Sequence, residues 1–432
     1  MDGTGWAFPA TRAASLERWR EFLPRARSYA AFRNRVEPGH PHVSRLSPAI
    51  RSRLINTEEC IAGLLASFPF ASVEKLVQEL LWRDYWKGWL ELRPDAWANY
   101  LAELERVRRT ASAEVMGRAT EVMAGRGGVG VMDRFARELT ETGYLHNHAR
   151  MWWAGYWCHV ERLPWVLGAD FFYRHLLDAD PASNTLGWRW VAGLQTRGKA
   201  YLPRRSNLER YCAPEWLRDP AGMEKLGDDR VHAAPVPWEP ELSRVLWVSL
   251  PESPRDVPGR WGLWIHGEDL SPELSGLRSL RPAVALTVLD EAIVTKHGLS
   301  RLRMQAILRG LEDARGRSSA QYGCPVEHRA APDGIASMLA RVGRERRLDG
   351  WVAMRPAVGP LGDAIDEIER VLGDAGLAVQ WCRRSWDERW WPLARSGFFP
   401  FWEKAERALR RGMNDDPAQG LLLDATAAAV PF

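Results

Sequence analysis

One stretch of the chain, Thr142 to Trp190, combines the residue types that could bind and tune a redox cofactor. It reads TGYLHNHARMWWAGYWCHVERLPWVLGADFFYRHLLDADPASNTLGWRW, so basic, acidic, amide and Trp side chains occur together in segments that must be mostly helical. A helix that only fills a core does not need this mixture. A few placed polar groups among flat aromatic rings are, by contrast, typical of a cofactor pocket. The run therefore indicates a redox-cofactor site.

A second candidate site is the loop VSRLSPAIR, Val43–Arg51. Hydroxyl groups, an arginine and free backbone amides before a helix form an anion site, because the first helical turn offers unpaired N–H groups and partial positive charge. This pattern is compatible with an anion-binding loop. A simple helix cap is the alternative interpretation.

Three residues of a predicted helix could form a substrate-binding face. Glu79, Trp82 and Arg83 are spaced i, i+3 and i+4, so they share one side of that helix. An acid, a flat ring and a cation on one face suit a polar, stackable substrate. The alternative is an exposed Glu–Arg pair beside a core Trp.

The Thr142–Trp190 run contains two motifs with further candidates. Asn147 and Met151 are four residues apart and face one way, with Arg150 beside them. The motif DADPASN then supplies Asp178 and Asp180. A purely structural Arg150–Asp178 salt bridge would be unusual in a run this apolar, and the carboxylates suit the N–H and hydroxyl groups of a cofactor.

A metal site is a competing interpretation of the same run. Its ligands would be His146, His148, Asp178 and Asp180. The two His residues are two apart, which points them to different sides of a helix. A shared metal ion is therefore disfavoured, and we expect no metal.

These motifs, taken in order, resemble the flavin-binding core of the photolyase/cryptochrome family. YAAFRN from Tyr29, VSRLSPAIR from Val43, EKLVQELLWRDYW from Glu74 and the Thr142–Trp190 run follow the family's order. The resemblance is strong over residues 29–211 and much weaker over 259–405. It implies tightly bound FAD and, for photolyases, damaged DNA as the partner.

The resemblance also implies which residues hold the flavin. The expected cofactor-binding residues are Tyr29, Ser44, Arg45, Leu46, Ser47, Arg150, Asp178, Asp180 and Asn184. Arg150 and Asp178 match a pair near the isoalloxazine N5, and Asn184 matches the residue that faces N5. Asn at that position is the photolyase-like choice and favours repair over signalling. The usual Thr of the phosphate loop is Val43 here, so one hydroxyl contact is lost.

A second set of residues matches the family's lesion pocket. Glu79 corresponds to a residue that hydrogen-bonds the lesion and controls its protonation. Asn147 corresponds to a residue that hydrogen-bonds the lesion and flavin region. The expected substrate-binding residues are Trp82, Arg83, Met151 and Trp190. Trp82 and Trp190 match the two aromatic walls around a flipped-out pyrimidine dimer, which needs stacking partners once it leaves the helix.

The family's chain of electron-carrying Trp residues is incomplete in this sequence. Trp188 and Trp165 match its proximal and middle members and are, with Glu79, Asn147 and Asn184, the expected catalytic residues. The surface member aligns near Ser112. Candidates for the missing link are Trp152, Trp153 and Trp157.

Two kinds of element must position these residues. Residues 1–215 show helical periodicity. The predicted helices are Thr11–Arg33, Val73–Leu92, Ala98–Arg109, Met132–Thr142 and Asn147–Glu161. After a proline-rich segment, strand-like runs alternate with helical ones, which predicts a parallel sheet covered by helices. The predicted strands are 261–266, 283–289, 325–329, 351–354 and 378–382, with a further strand considered at Leu246–Leu250. The predicted helices between them are Leu299–Arg315, Gly334–Arg346 and Leu361–Gly376.

The fold class expected is mostly α plus α/β. An all-helical FAD- and DNA-binding domain at 1–215 precedes a linker at 216–242, a parallel, Rossmann-like α/β domain at 243–412 and a tail at 413–432. GLWIHGEDLSPEL and SGFFPFWEKA resemble the start and exit of the family's α/β domain. That domain ordinarily comes first, so the two domains are exchanged in order.

Composition narrows the class of protein. Hydrophobic content of 46% and charged content of 26% are those of a soluble globular chain. Residues 1–220 carry 31 basic against 25 acidic side chains, so the first half is the expected DNA-facing part. Five scattered Cys favour a reducing cytoplasm. No signal peptide or membrane span is expected, and we expect a monomer.

These features lead to three hypotheses. The first is light-driven, FAD-dependent repair of pyrimidine dimers. The alternatives are a cryptochrome-like blue-light receptor and an FAD-binding protein that does not repair DNA. The lesion type and the presence of an antenna pigment stay open.

Overall fold

The first half of the chain is built of helices that surround one aromatic-rich core. The structure is a computed structural model and describes residues 8–196, 199–254 and 258–415. The helices are α1 Arg12–Phe22, α2 Tyr29–Phe32, α3 Ser47–Arg51, α4 Thr57–Ser67, α5 Phe70–Glu91, α6 Asp95–Thr110, α7 Ala113–Met123, α8 Gly130–Thr142, α9 Asn147–Gly155, α10 Trp165–His175, α11 Pro181–Val191 and α12 Arg205–Tyr211. Trp152, Trp153 and Trp157 are buried at the centre of this half.

Local signals explain where several helices begin and end. Asn56 and Glu59 form a capping box at the start of α4. Gly143, with φ of 70°, ends α8 in the left-handed region that glycine tolerates. The predicted helix Asn147–Glu161 is wrong at its end, because α9 stops at Gly155 and continues as a π-helical turn.

The predicted helix Thr11–Arg33 is divided. A 3-10 turn at Leu23–Ser28 separates α1 from α2. Pro24 lies in that turn and cannot donate the backbone hydrogen bond that a continuous α-helix would need. Tyr29 therefore starts a separate short helix, α2.

The second half contains one five-stranded parallel sheet. Its strands are β1 Trp261–Ile265, β2 Val284–Asp290, β3 Val326–Ala331, β4 Gly350–Met354 and β5 Ala378–Cys382, in the order β3-β2-β1-β4-β5. In the central register Leu263 lies opposite Ala285 and Val352. The helices are α13 Glu291–Lys296, α14 Arg301–Tyr322, α15 Ile335–Glu345, α16 Ile365–Asp374, α17 Ser385–Trp390 and α18 Phe398–Asp415. The predicted fold class and the five predicted strands are confirmed.

The possible strand at Leu246–Leu250 is wrong. This segment forms no strand, although three of its groups bind Glu388 of α17. Leu246 and Val248 are 91% and 70% exposed. An edge strand would have needed a neighbouring strand for its backbone groups. Most of the predicted tail lies outside the described residues.

The two halves meet at the carboxyl ends of the strands. Arg51 of α3 donates to Gly267 O, just after β1, over 2.7 Å. Arg303 of α14 donates to Ala179 O over 3.1 Å and also binds Tyr173 O. The helical half and the sheet are therefore in direct contact beside the Asp178–Asp180 segment.

No helix within the described ranges is long and apolar enough to cross a membrane.

Candidate functional site

Arg150 and Asp178 form the ion pair that the sequence predicts. Arg150 Nη2 lies 2.8 Å from Asp178 Oδ2, and Arg150 Nε donates to Leu145 O over 2.8 Å. The second carboxylate oxygen, Asp178 Oδ1, is buried and has no hydrogen-bond partner in the described structure. A buried acceptor without a partner is costly. It therefore suits the N–H group of a bound ligand.

His146 provides a second buried polar atom of this kind. Its Nδ1 accepts a hydrogen bond from His148 N over 3.1 Å, while its buried Nε2 meets, among the described residues, only a weak contact with the Arg33 backbone. Burial lowers the pKa of His146 well below its usual value, so the ring is neutral. The residues around Asp178 and His146 thus fit a polar, partly aromatic cofactor such as FAD.

Asp180 has a structural task that the sequence interpretation missed. It is 2% exposed, and its Oδ1 caps α11 by accepting from Ala182 N and Ser183 N. Its Oδ2 lies 2.7 Å from Lys87 Nζ and 3.6 Å from Arg83. Burial opposes ionisation, yet these cations hold the pKa of Asp180 well below its usual range. The signal was available, because Asp before Pro is a typical helix start.

The loop predicted to bind phosphate contains one residue in an unusual backbone conformation. Arg45 has a φ of 57°, a left-handed conformation that is uncommon for a residue other than glycine. Its guanidinium lies 4.7 Å from the Phe8 ring centroid and 5.9 Å from that of Tyr144. Leu46 N donates to Ser44 Oγ over 3.3 Å, and α3 begins at Ser47. These contacts define the conformation of the loop at the start of α3.

Tyr29 and Asn184 occupy defined positions in the same half. Tyr29 is half-buried, with its ring edge-on to Phe22, and burial raises the pKa of its hydroxyl well above the usual value. Asn184 is 8% exposed, and its Nδ2 donates to Ala169 O of α10 over 2.9 Å. This bond fixes the orientation of the Asn184 amide.

A solvent-open cleft lies between the phosphate-loop helix and the second half of the chain. Its walls include Pro48 and Arg51 of α3, Leu177, and Arg303 of α14. Leu177 immediately precedes the Arg150-paired Asp178. A ligand between the loop and Asp178 would therefore contact residues from both halves.

The predicted lesion face lies on α5, with Glu79 and Trp82 both half-buried. Glu79 Oε1 lies 2.9 Å from Arg33 Nη1 and 3.0 Å from Lys75 Nζ. Trp82 stacks on Phe398 of α18, with ring centroids 3.6 Å apart and planes 6° apart. Phe398 was not predicted, because it lies more than 300 residues from Trp82 in the chain.

The Arg83 side chain of α5 reaches toward Asp180, at the start of α11. It donates to Arg51 O over 3.3 Å and faces Asp180. Asn147 is exposed at the first position of α9, and Met151 is half-buried one turn later. Trp190, the predicted second wall, is half-buried against Tyr201, with centroids 5.5 Å apart.

The Trp residues considered for electron transfer fall into two separate groups of ring contacts. Trp188 packs against Trp153, with centroids 6.1 Å apart, and Trp153 stacks on Trp157 at 5.2 Å. Trp165 instead contacts Tyr100, at 5.6 Å. Ser112, near the aligned position of the surface Trp, caps α7.

No group of three or more His, Cys, Asp or Glu residues in the described part of the chain is arranged to hold a metal ion. His146 stacks on His40, and Asp180 is engaged by Lys87.

Two carboxyl groups beside the site have raised pKa values. Burial, together with the nearby Asp387, raises the pKa of Asp84 to about 7. Burial also raises the pKa of Glu58 to about 7. Both line a cavity of about 380 Å³ together with Arg53 and Arg384. This acid–base cluster was not predicted.

Comparison with known proteins identifies the helical half. Residues 76–214 match the family model described as the FAD binding domain of DNA photolyase. The chain is 30% identical over 170 residues to a deoxyribodipyrimidine photo-lyase of Alkalihalophilus pseudofirmus, covering 39% of this chain and 35% of that protein. It is 30% identical over 209 residues to cryptochrome-1 of Arabidopsis thaliana, covering 47% and 27%.

A solved structure aligns over a similar extent. The cryptochrome of Synechocystis sp. PCC6803 aligns with a TM-score of 0.42 and 24% identity, covering 48% of this chain and 44% of that one. The chain thus spans less than half the length of each of these relatives.

Proposed function

We propose that this chain, whose residues 76–214 match the FAD binding domain of DNA photolyase, repairs pyrimidine dimers in DNA under light. The observation that carries the proposal is the pairing of an acid and an aromatic ring, Glu79 and Trp82, on one half-buried face of α5. A flipped-out base needs such a combination of hydrogen bonding and stacking. A receptor that only senses light does not.

FAD, when bound in its reduced form, supplies the light-excited electron that opens the dimer. The protein's own residues bind and orient. In this proposal Asp178 accepts from the cofactor through its partnerless Oδ1, while Arg150 fixes the carboxylate. Asn184, held by Ala169 O, presents its amide in one orientation.

The proposed substrate side is organised by charge pairs on α5. Arg33 and Lys75 hold the Glu79 carboxylate in place beside Trp82. The helical half carries an excess of basic residues, which supports phosphate binding and a salt-dependent affinity for DNA. A cytoplasmic, monomeric enzyme remains part of the proposal.

A blue-light receptor is the second candidate, and one observation favours it. Phe398 already stacks on one face of Trp82, so a base can use only the remaining part of that ring. The relatives include a cryptochrome as well as photolyases.

A repair assay separates these candidates. The purified protein is reduced, mixed with a strand that contains a cyclobutane dimer, and illuminated with blue light. Light-dependent loss of dimers, absent in the dark, supports repair. A protein that holds reduced FAD but leaves every dimer intact, in single-stranded and duplex DNA alike, would be the receptor instead.

A further inference from the structure

The start of α18 is the part of the second half that lies directly against the proposed lesion face. Tyr85 of α5 donates from its hydroxyl to Ser396 O over 2.8 Å. Arg93 Nη2 donates to Arg395 O over 2.7 Å. The chain entering α18 is thus fastened at two successive carbonyl groups.

The body of α18 is held along α5 by buried rings. Phe398, Phe401 and Trp402 are 4%, 1% and 6% exposed. Trp402 stacks on Phe70 at the start of α5, with centroids 6.4 Å apart and planes 18° apart. The first turn of α18 therefore has a fixed place relative to Trp82.

Phe399 departs from this pattern. It is 68% exposed, although it follows directly on Phe398, which is buried against Trp82. The two phenyl rings are 5.9 Å apart at an angle of 73°. Pro400 comes next and limits the backbone freedom of the turn. An apolar ring is thus displayed to solvent from a rigid support, one residue away from the proposed lesion wall.

We propose that Phe399 is a DNA-stacking residue whose ring packs against a base next to the lesion. The inference rests on the proposed function and deepens it. When a dimer leaves the stack, its neighbouring bases lose a partner, and proteins that distort DNA often insert an apolar side chain at such a step. Exposed Arg395, four residues earlier, provides a cation for the adjacent phosphate.

The physical advantage is preorganisation. A ring that is already fixed and exposed loses little conformational freedom when a base stacks on it. Such a contact is tolerant of sequence, because every base has a π-face. The ring also sits in the half of the chain that is not expected to hold the cofactor.

The test measures DNA affinity and cofactor content separately. The probe is a fluorescently labelled single strand with one cyclobutane thymine dimer, alongside the same strand undamaged. Phe399→Ala should bind the damaged strand about tenfold more weakly, while its FAD absorbance and melting temperature stay at the parent's values. Phe399→Trp should restore the affinity. Leu246→Ala, at a 91% exposed position between the predicted linker and β1, is the matched control and should bind like the parent.

Several results would overturn the inference. They are parent-like affinity of Phe399→Ala, equal weakening by Leu246→Ala, and failure of Trp to restore binding. A parent that binds both strands equally would argue against lesion recognition, and the role of Phe399 would then be decided by the undamaged strand. A parent that binds no DNA would overturn both proposals.

Discussion

The two halves of this molecule contribute to the candidate site in different ways. The helical half supplies two buried polar pairs: Arg150–Asp178, whose second carboxylate oxygen suits a cofactor, and Lys87–Asp180, which fixes the start of α11. The α/β half supplies contacts that close and support the site, namely the Phe398 ring on Trp82 and Arg303 beside the Asp178–Asp180 segment. The polar groups expected to act on a cofactor thus lie in the helical half, whereas both halves contribute residues to the walls of the site.

This difference matters because the walls of the site form only where the two halves pack against each other. Gly88 of α5 packs so closely on the second half that a Cβ there would lie 2.4 Å from Trp391 O. The charged contact Arg53–Asp387, at 2.6 Å, joins the same surfaces. A helical half that precedes an α/β half can therefore form an intimate interface with it.

The largest expected effect compares two buried carboxylates, one from each half. Asp180 pairs with Lys87 and Arg83, and Asp269 pairs with Arg384 through two bonds of 2.7 and 2.8 Å. Removing either leaves buried cations unpaired, so Asp180→Ala and Asp269→Ala should each cost roughly 3–5 kcal/mol in the free energy of unfolding.

The cofactor should distinguish those two variants. Asp180→Ala should also release FAD, because it loosens the start of α11, which carries Asn184. Asp269→Ala should retain FAD at temperatures where it is still folded. Denaturant unfolding and flavin absorbance after gel filtration measure both quantities. Equal loss of flavin from the two variants would contradict the division between the halves.

The next prediction concerns the wall shared by the halves. Trp82→Ala removes a stacking surface worth on the order of 1–3 kcal/mol per base, so affinity for dimer-containing DNA should fall roughly tenfold to a hundredfold. FAD content should stay near the parent's. Trp381→Ala, a half-buried Trp of β5, is the control and should leave DNA affinity unchanged. Unchanged affinity in Trp82→Ala would show that this face does not bind the lesion.

The docking itself is tested at Gly88. Gly88→Ala forces the second half away from α5, and overpacking of this kind costs about 1–3 kcal/mol. Gly117→Ala in α7 meets no atom within 4 Å and should be neutral or slightly stabilising. Unfolding curves report the cost, and limited proteolysis reports any separation of the halves. A Gly88→Ala protein as stable as Gly117→Ala would mean that the interface is looser than described.

Sequence patterns predicted different features of the two halves. The alternation of short strand-like runs with helical ones was enough to place all five strands within two residues, and the clearest runs belong to the central strands β1, β2 and β4, which are buried on both faces. The resemblance to the photolyase/cryptochrome family was enough to pair Arg150 with Asp178. The contacts of Trp82 with Phe398 and of Arg51 with Gly267 depend on how the two halves pack against each other, which no local sequence pattern encodes. The two structural contacts of Asp180 were not predicted, because residue types and spacing do not show that one carboxylate both caps a helix and pairs with two cations.

The smallest predicted effect concerns pH and the acid cluster at the junction of the halves. Asp84 is 5% exposed, and burial, with Asp387 nearby, raises its pKa to about 7. A carboxyl whose folded pKa lies above its unfolded value binds more protons in the folded state. Its contribution therefore favours folding at low pH and is lost as pH rises from about 4 to about 7.

Replacing that carboxyl should remove its share of the pH dependence. In Asp84→Asn the free energy of unfolding should fall less steeply between pH 5 and 7 than in the parent, by roughly 1 kcal/mol per pH unit at most. Some pH dependence should remain, because Glu58 titrates in the same window. Urea unfolding at several pH values measures the slope. Asp374→Asn, at an exposed position of α16, is the control. An Asp84→Asn slope equal to the parent's would mean that Asp84 is ionised in the folded protein and paired with Arg83 and Arg53, and the junction would then be held by charge alone.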